Sequence, residues 1–224
     1  MAARDLNRAQ EIADTLPGVK CVYNDAAKPE TFCSMVEEVV ADAGRLDVLV
    51  NNFGTSNPVK DLDFANTDPQ VFLDMVIMNL RSVFMASQAA AKQGGGSSIN
   101  ISSVGGQVPD ISQVAYGTSK AAINHLTRLI AVQEARHRIR CNAVLPGMTA
   151  TEAVEKHLSE DFRNLFLRHI PLGRMGLPEE IAEAVCYFAG DASAYTTGQI
   201  LNVSGGFGLA TPVYGDLAHR DHRR

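Results

Sequence analysis

Five short apolar segments, separated by longer stretches with helical periodicity, constrain the fold of this chain more than any other feature. Each segment has the length of a buried strand rather than that of a helix. Strands that alternate with helices usually pair in parallel, and a parallel sheet carries helices on both faces. The segments lie at residues 20–23, 46–50, 98–101, 140–145 and 200–203. This alternation predicts an α/β fold: a three-layer, doubly wound parallel sheet.

The stretches between the strands repeat their apolar residues every three or four positions, which is typical of amphipathic helices. The helix predicted over residues 29–43 is followed by Gly44, a common C-terminal stop. The next begins at Asp68-Pro69, a capping residue and a proline suited to the first turn, and runs to residue 91. Three more are predicted at 119–135, 160–167 and 178–189. With 224 residues, we expect a single domain over 1–224.

Composition and charge argue against several classes of partner. The net charge of -5 gives no basic surface for nucleic acid or for an anionic membrane, and no apolar run is long enough to span a bilayer. The four cysteines have no C-x-x-C spacing, so we expect reduced thiols in a cytoplasmic protein, and we expect no metal site. A small molecule is the expected partner.

Two residues offer acid/base chemistry. Tyr116 and Lys120 are four residues apart, so on a helix their side chains share one face. A phenol is a poor acid/base group at neutral pH, but a nearby ammonium and an oxidised nicotinamide would lower its pKa. Ser103 follows a predicted strand, at the sheet edge where parallel folds bind ligands. Taken alone, the Tyr-Lys pair is also compatible with an ordinary amphipathic helix.

The order of the polar motifs identifies a resemblance. Asn51-Asn52-Phe53-Gly54 follows one strand, Asn79 lies within a helix, and Pro146-Gly147 ends a later strand. Together with Ser103 and the Tyr-Lys pair, this arrangement resembles the short-chain dehydrogenase/reductase family, over nearly the whole chain. The resemblance implies a Rossmann-like fold and transfer of hydride between a nicotinamide dinucleotide and a hydroxyl or carbonyl carbon.

The resemblance also implies a role for each residue. Tyr116 would donate and accept the proton, Ser103 would orient the substrate oxygen, Lys120 would bind the ribose and lower the pKa of the phenol, and Asn79 would hold a relay water. Arg4 lies where the family reads the ribose 2′ position, so NADP is expected rather than NAD. The implied cofactor-binding residues are Arg4, Asp25, Asn51, Gly54, Tyr116, Lys120, Pro146, Gly147, Thr149 and Thr151.

Three segments are similar to bacterial 7α-hydroxysteroid dehydrogenases of the clostridial type: residues 51–58, 61–69 and 204–212. This similarity implies a steroid substrate such as a bile acid. Another ketone, for example a 3-oxoacyl substrate, remains open. Family members usually form tetramers or dimers through their long helices, so a homo-oligomer is expected.

The start of the chain departs from the family. These residues contain no Gly-x-Gly-x-x-Gly turn after an opening strand, the element that holds a pyrophosphate. Residues 1–4 resemble the end of the second strand, so the first strand and most of the second are expected to be missing. The strand at 20–23 should then pair with 46–50 or lose its backbone partners. Weak or absent dinucleotide binding is therefore expected, and a non-catalytic relative stays open.

A second departure lies after Asn79, where the helix is about one turn shorter than is usual in the family. A shorter helix could change how closely Asn79 approaches Ser103.

Overall fold

The computed structural model describes residues 1–210 and 213–218; Thr211 and Pro212 of segment 204–212 lie outside the described residues. Its strands all pair in parallel, in two sheets. A two-stranded sheet contains β1 (Ala2–Ala3) and β2 (Val22–Tyr23). A four-stranded sheet has the order β3-β4-β5-β6, with β3 (Val48–Asn51), β4 (Gly96–Ile101), β5 (Ile139–Pro146) and β6 (Ile200–Val203).

The helices connect these strands. They are α1 (Leu6–Ala13), α2 (Thr31–Ala43), α3 (Pro69–Ala91), α4 (Val114–Gln133), α5 (Glu152–His157), α6 (Glu160–Leu167), α7 (Pro178–Ala189) and α8 (Tyr214–Ala218). Within the described ranges, no helix is long and apolar enough to cross a membrane. All four cysteines are free thiols.

Helices cover both faces of the larger sheet. Ile99 of β4 and Val144 of β5 are buried against Phe188 of α7 on one face. The neighbouring residue Asn100 donates to Thr127 of α4, at 2.9 Å, on the other face, because successive strand residues point to opposite sides. The predicted three-layer, Rossmann-like fold is therefore confirmed.

The pairing predicted for the strand at 20–23 is wrong. This strand, β2, neither moves beside β3 nor loses its partners, because it pairs in parallel with Ala2–Ala3 of β1. The Val22 N–H donates to the Met1 carbonyl at 2.9 Å, and the Asn24 N–H donates to the Ala3 carbonyl at 3.0 Å. The first residues of the chain thus give β2 a partner strand along one edge.

Most predicted helices form where the periodicity places them. α2 ends at Gly44 with a φ of 78°, and Asp68 caps α3 by accepting the Gln70 and Val71 N–H groups at 2.8 and 3.3 Å. α4 is the exception, since it begins at Val114, five residues before the predicted start. The reason is a long-range cap supplied by Asp61, which the local sequence does not reveal.

Candidate active site

The predicted catalytic residues lie at the carboxyl edge of the larger sheet. β3 ends at Asn51, β4 ends at Ile101 immediately before Ser102 and Ser103, and β5 ends at Pro146. Helix α4 crosses behind this edge and carries Tyr116 and Lys120. Ser102 fixes the crossing, because its buried hydroxyl donates to the Lys120 carbonyl at 3.1 Å.

Lys120 is a buried ammonium, 4% exposed. Its Nζ donates to the Ile101 carbonyl at 3.0 Å, and no carboxylate of the described residues lies within 4.0 Å. Burial lowers the pKa of Lys120 to about 8, because the charged form loses its hydration. Gly54 allows this approach, since a Cβ at that position would stand 3.1 Å from Nζ.

Tyr116 precedes Lys120 by one helical turn, and the Lys120 Nζ lies 5.6 Å from the centre of its ring. Burial raises the pKa of the Tyr116 phenol above its usual range, while the Ser103 hydroxyl acts in the opposite direction. In the chain by itself, desolvation outweighs the neighbouring groups. A lowered value in a complex with an oxidised nicotinamide stays a prediction.

Ser103 turns the chain from β4 into a short 3₁₀ turn at Val104–Gly106. Its hydroxyl accepts the Gly105 N–H at 3.1 Å, which fixes the side chain. A Cβ added to Gly105 would lie 3.5 Å from the Ser103 Oγ and 3.8 Å from the Tyr116 ring. The hydroxyl and the phenol therefore border the same small space beside Gly105.

Asn79 is fully buried in α3, and its carboxamide is held by other groups. Its Oδ1 accepts the Thr55 N–H at 2.8 Å, and its Nδ2 donates to the Thr55 carbonyl and the Ser119 hydroxyl, both at 3.0 Å. Asn79 thus joins the loop after β3 to α4 one residue before Lys120. The predicted role of holding a relay water stays a prediction.

The residues predicted near the adenosine fall into two groups. Asp25 follows β2, where the Ala27 N–H donates to it at 3.0 Å and lowers the pKa of its carboxyl; Tyr23 and Arg4 contribute in the same direction. Arg4 and Asp25 therefore lie near each other. Asn51 is different, because it is 7% exposed and its Nδ2 donates to Ser87 and Asn100 within the fold, at 3.0 and 2.8 Å.

The segment after β5 is shaped by close backbone contacts. Gly147 approaches Ser204 so closely that a Cβ would stand 2.8 Å from the Ser204 Cα. The Thr149 hydroxyl donates to the Gly147 carbonyl at 3.1 Å, and the Thr151 hydroxyl caps α5 by accepting the Val154 N–H at 3.3 Å. Pro146 through Thr151 thus forms an ordered rim at the same edge as Ser103.

Comparison with known proteins identifies the family of this chain. The family model described as Enoyl-(Acyl carrier protein) reductase matches residues 1–208. The 7α-hydroxysteroid dehydrogenase of Clostridium sardiniense is 46% identical over 228 residues, which cover 98% of this chain and 87% of that protein. The chain belongs to the short-chain dehydrogenase/reductase family. Its members are oxidoreductases, and the reaction class of this chain follows from its membership.

Two further relatives agree. The 7α-hydroxysteroid dehydrogenase of Paraclostridium sordellii is 44% identical, with 97% of this chain and 85% of that protein covered. A solved 7α-hydroxysteroid dehydrogenase, complexed with NADH and 7-oxo glycochenodeoxycholic acid, superposes with a TM-score of 0.84 at 28% identity. That match covers 92% of this chain and 82% of the solved chain.

The described residues fit the nicotinamide-ribose half of a dinucleotide. Gly54 leaves the Lys120 ammonium open to a close ligand, and two of its three protons remain for ribose hydroxyls after the bond to Ile101. Residues 1–210 and 213–218 contain no Gly-x-Gly-x-x-Gly turn, the element that typically offers N–H groups to a pyrophosphate. The fit therefore rests on the half of the site next to Ser103 and Tyr116.

Sequence patterns did not predict several residues that build the site. Asp61 caps α4 from 54 residues away, and Ser119 receives the Asn79 carboxamide. Gly106 lies against α4, where a Cβ would stand 2.7 Å from the Lys120 carbonyl carbon. Asp61 and Ser119 lie in segments that the sequence analysis names, but their contacts with α4 and α3 become visible only in the packed structure.

Proposed function

We propose that this chain transfers hydride between NADP(H) and a secondary hydroxyl or ketone of a steroid such as a bile acid, as a 7α-hydroxysteroid dehydrogenase does. The observation that carries the proposal is the convergence of Ser103, Tyr116 and Lys120 at the carboxyl edge of the sheet, next to Gly54. These groups provide a proton donor, a hydrogen-bonding hydroxyl and a buried cation around one small space.

In the reducing direction, the ketone oxygen lies against the Ser103 and Tyr116 hydroxyls. The Ser103 hydroxyl donates a hydrogen bond that orients and polarises the carbonyl. A reduced nicotinamide whose ribose is held by Lys120 would supply the hydride that the carbonyl carbon accepts. The Tyr116 hydroxyl gives its proton to the oxygen, so the ketone becomes a secondary alcohol, and Lys120 stabilises the resulting phenolate.

Apolar residues near the catalytic edge support a steroid. Phe207, after β6, stacks on Phe166 of α6 with ring centres 4.8 Å apart. Gly208 approaches Val108 so closely that a Cβ would stand 2.5 Å from a Val108 methyl carbon. A rigid sterol is bound mainly by such aromatic and aliphatic walls. The steroid names of the two clostridial relatives support the same substrate class.

The preference for NADP rests on Arg4. Arg4 directly follows β1. A guanidinium at this position can pair with the 2′-phosphate on the adenosine ribose of NADP, whereas a carboxylate would bind the free 2′-hydroxyl of NAD. The NADH in the solved relative belongs to a chain only 28% identical, so it does not decide the preference here. A homo-oligomer in the cytoplasm, acting on a small molecule without a metal, completes the proposal.

A substrate panel tests the proposal. Because the described residues lack the Gly-x-Gly-x-x-Gly turn, dinucleotide binding should be weak, and we expect NADPH-dependent reduction of 7-oxo bile acids with a high KM for NADPH. Its kcat/KM should lie well above that for a 3-oxoacyl thioester, and Ser103→Ala should lose the rate. Arg4→Ala should reduce the preference for NADPH over NADH. Arg45→Ala is the matched control, because Arg45 pairs with Asp47 before β3. A higher kcat/KM for the thioester than for the bile acid would contradict the steroid assignment and identify a 3-oxoacyl substrate. A folded chain without any turnover would indicate a non-catalytic relative.

A further inference from the structure

Asp61 is a buried carboxylate in the loop between β3 and α3. Its side chain is fully buried, and no Lys, Arg or His of the described residues lies within 4.0 Å of it. Its Oδ1 accepts the Ala115 N–H at 2.9 Å, and its Oδ2 accepts the Tyr116 N–H at 2.8 Å. A buried charge is costly unless it is hydrogen-bonded, and here backbone N–H groups meet that need.

Asp61 and Leu62 together cap the start of α4. The Gln113 N–H donates to the Asp61 carbonyl and the Val114 N–H to the Leu62 carbonyl, each at 3.2 Å. The first N–H groups of a helix have no acceptor within the helix. Here the loop supplies an acceptor oxygen for each N–H group of residues 113–116. Gln113 itself has a φ of 60° and makes no side-chain cap. The loop, rather than the local sequence, therefore fixes where α4 begins.

The loop is held by its own hydrogen bonds. The Asp61 N–H donates to the Asn57 carbonyl at 2.8 Å, and the Leu62 N–H donates to the Thr67 hydroxyl at 2.9 Å. The Thr67 hydroxyl in turn donates to the Asp63 carbonyl at 2.9 Å. The carboxylate thus reaches α4 from a fixed support.

We propose that Asp61 is a positioning residue for Tyr116, holding its backbone and balancing the positive end of α4 beside its phenol. The proposal rests on the proposed function only in taking Tyr116 as the acid/base group. The N-terminus of a helix carries a partial positive charge, which favours an anion next to it. With Asp61 ionised, that charge is compensated; without it, the helix end stabilises the phenolate instead.

Few other charged groups face this pair. Lys120 lies on the same helix, with its Nζ 5.6 Å from the ring centre, and the Ser103 hydroxyl faces Tyr116 from the end of β4. Lys60 and Asp63 flank Asp61 in the loop and are exposed. The substitution Asp61→Asn leaves these groups in place. It removes the charge and keeps one oxygen to accept an N–H.

Ultraviolet difference titration of tyrosine tests the proposal without cofactor or substrate. The chain has five tyrosines, so the difference between the parent chain and Tyr116→Phe isolates the ionisation of Tyr116. In the Asp61→Asn background, we expect the midpoint of this ionisation to fall by on the order of one pH unit. Asp68→Asn is the matched control, because Asp68 caps α3 by two N–H groups but is exposed. An unchanged midpoint in folded Asp61→Asn, or an equal shift in Asp68→Asn, would overturn the proposal.

Two further measurements test the proposal if Asp61→Asn does not fold. Asp61→Ser keeps a capping oxygen without the charge and should give a shift in the same direction. In the unmodified chain, the Ala115 and Tyr116 amides should exchange with solvent far more slowly than the Gln70 and Val71 amides at the exposed cap of α3. Fast exchange at Ala115 and Tyr116 would overturn the proposal. Because neither measurement needs turnover, an inactive chain would refute the proposed function and leave this test intact.

Discussion

At the scale of single residues, the site combines two groups that burial affects in opposite ways. The phenol of Tyr116 becomes harder to ionise, with its pKa raised, and the ammonium of Lys120 becomes easier to deprotonate, with its pKa lowered to about 8. Burial therefore moves the pKa of Lys120 toward neutral pH and the pKa of Tyr116 away from it. A general acid/base works best when its proton affinity lies near the working pH.

The buried Lys120 predicts a pH-dependent stability. The folded chain releases the Lys120 proton near pH 8, whereas an unfolded lysine holds it until about 10.5. Between these values the unfolded chain binds more protons, so the free energy of unfolding rises with pH. Below pH 8 the cost of burying the charge is present in full, and it corresponds to about 3 kcal/mol.

Denaturant unfolding of the parent chain and of Lys120→Met measures this cost. We expect Lys120→Met to be the more stable of the two at pH 7, with a difference that shrinks by pH 9.5. Lys92→Met controls for the substitution itself, because Lys92 is exposed. A stability difference that stays constant across this pH range would show that Lys120 is not desolvated.

At the scale of elements, the contact between the 3₁₀ turn after β4 and helix α4 sets the distance from Ser103 to Tyr116. Gly106 makes that contact, because a Cβ there would stand 2.7 Å from the Lys120 carbonyl carbon and 2.9 Å from the Ala121 nitrogen. Backbone atoms of a helix cannot move aside individually. Any side chain at position 106 must therefore push the turn away from α4.

We predict that Gly106→Ala lowers the free energy of unfolding by about 1–3 kcal/mol and reduces turnover. Gly190→Ala is the control, since its Cβ would make an ordinary contact of 3.5 Å with the Cys186 carbonyl. Chemical denaturation and initial rates give both quantities. If Gly106→Ala behaved like Gly190→Ala, the turn would not be in tight contact with the helix.

The elements also show which features the sequence could predict. Apolar periodicity and local caps predicted the positions of α2, α3, α6 and α7, because the start or stop signals of these helices lie within a few residues of the helix. The start of α4 was missed, because its cap is Asp61, which is distant in sequence.

The same reason limits what the sequence alone reveals about the site. The Tyr-Lys spacing predicted the shared face, since four residues on a helix determine it. It could not predict that burial would raise the pKa of Tyr116, or that Asn51 would use its amide inside the sheet, because both depend on tertiary contacts. The partner of β2 was also mispredicted, because two residues, Ala2 and Ala3, were enough to form a ladder.

At the scale of the whole molecule, two long helices leave apolar side chains on the surface. Leu73, Ile77 and Phe84 lie within one stripe of α3 and are each about half exposed. Leu129 and Val132 are exposed on α4, the helix packed beside it. An exposed apolar stripe along a helix is typical of a protein interface.

These surfaces predict a homo-oligomer. The molar mass measured by light scattering should be that of a dimer or tetramer of the 24.1 kDa chain. Phe84→Asp should lower this mass toward that of the monomer. Phe64→Asp is the control, because Phe64 is 90% exposed in the loop before α3 and lies off the helix faces. A monomeric parent chain at micromolar concentration would contradict the prediction.

The most direct test of the central claim is the NADPH-dependent reduction of a 7-oxo bile acid by the parent chain and by Tyr116→Phe. Removing the phenolic proton should lower kcat by about 10²-fold or more, because no other group replaces the general acid. Tyr195→Phe, at a fully exposed tyrosine, should retain the parent rate. A parent chain without turnover, or a Tyr116→Phe variant within a few-fold of the parent, would contradict the account.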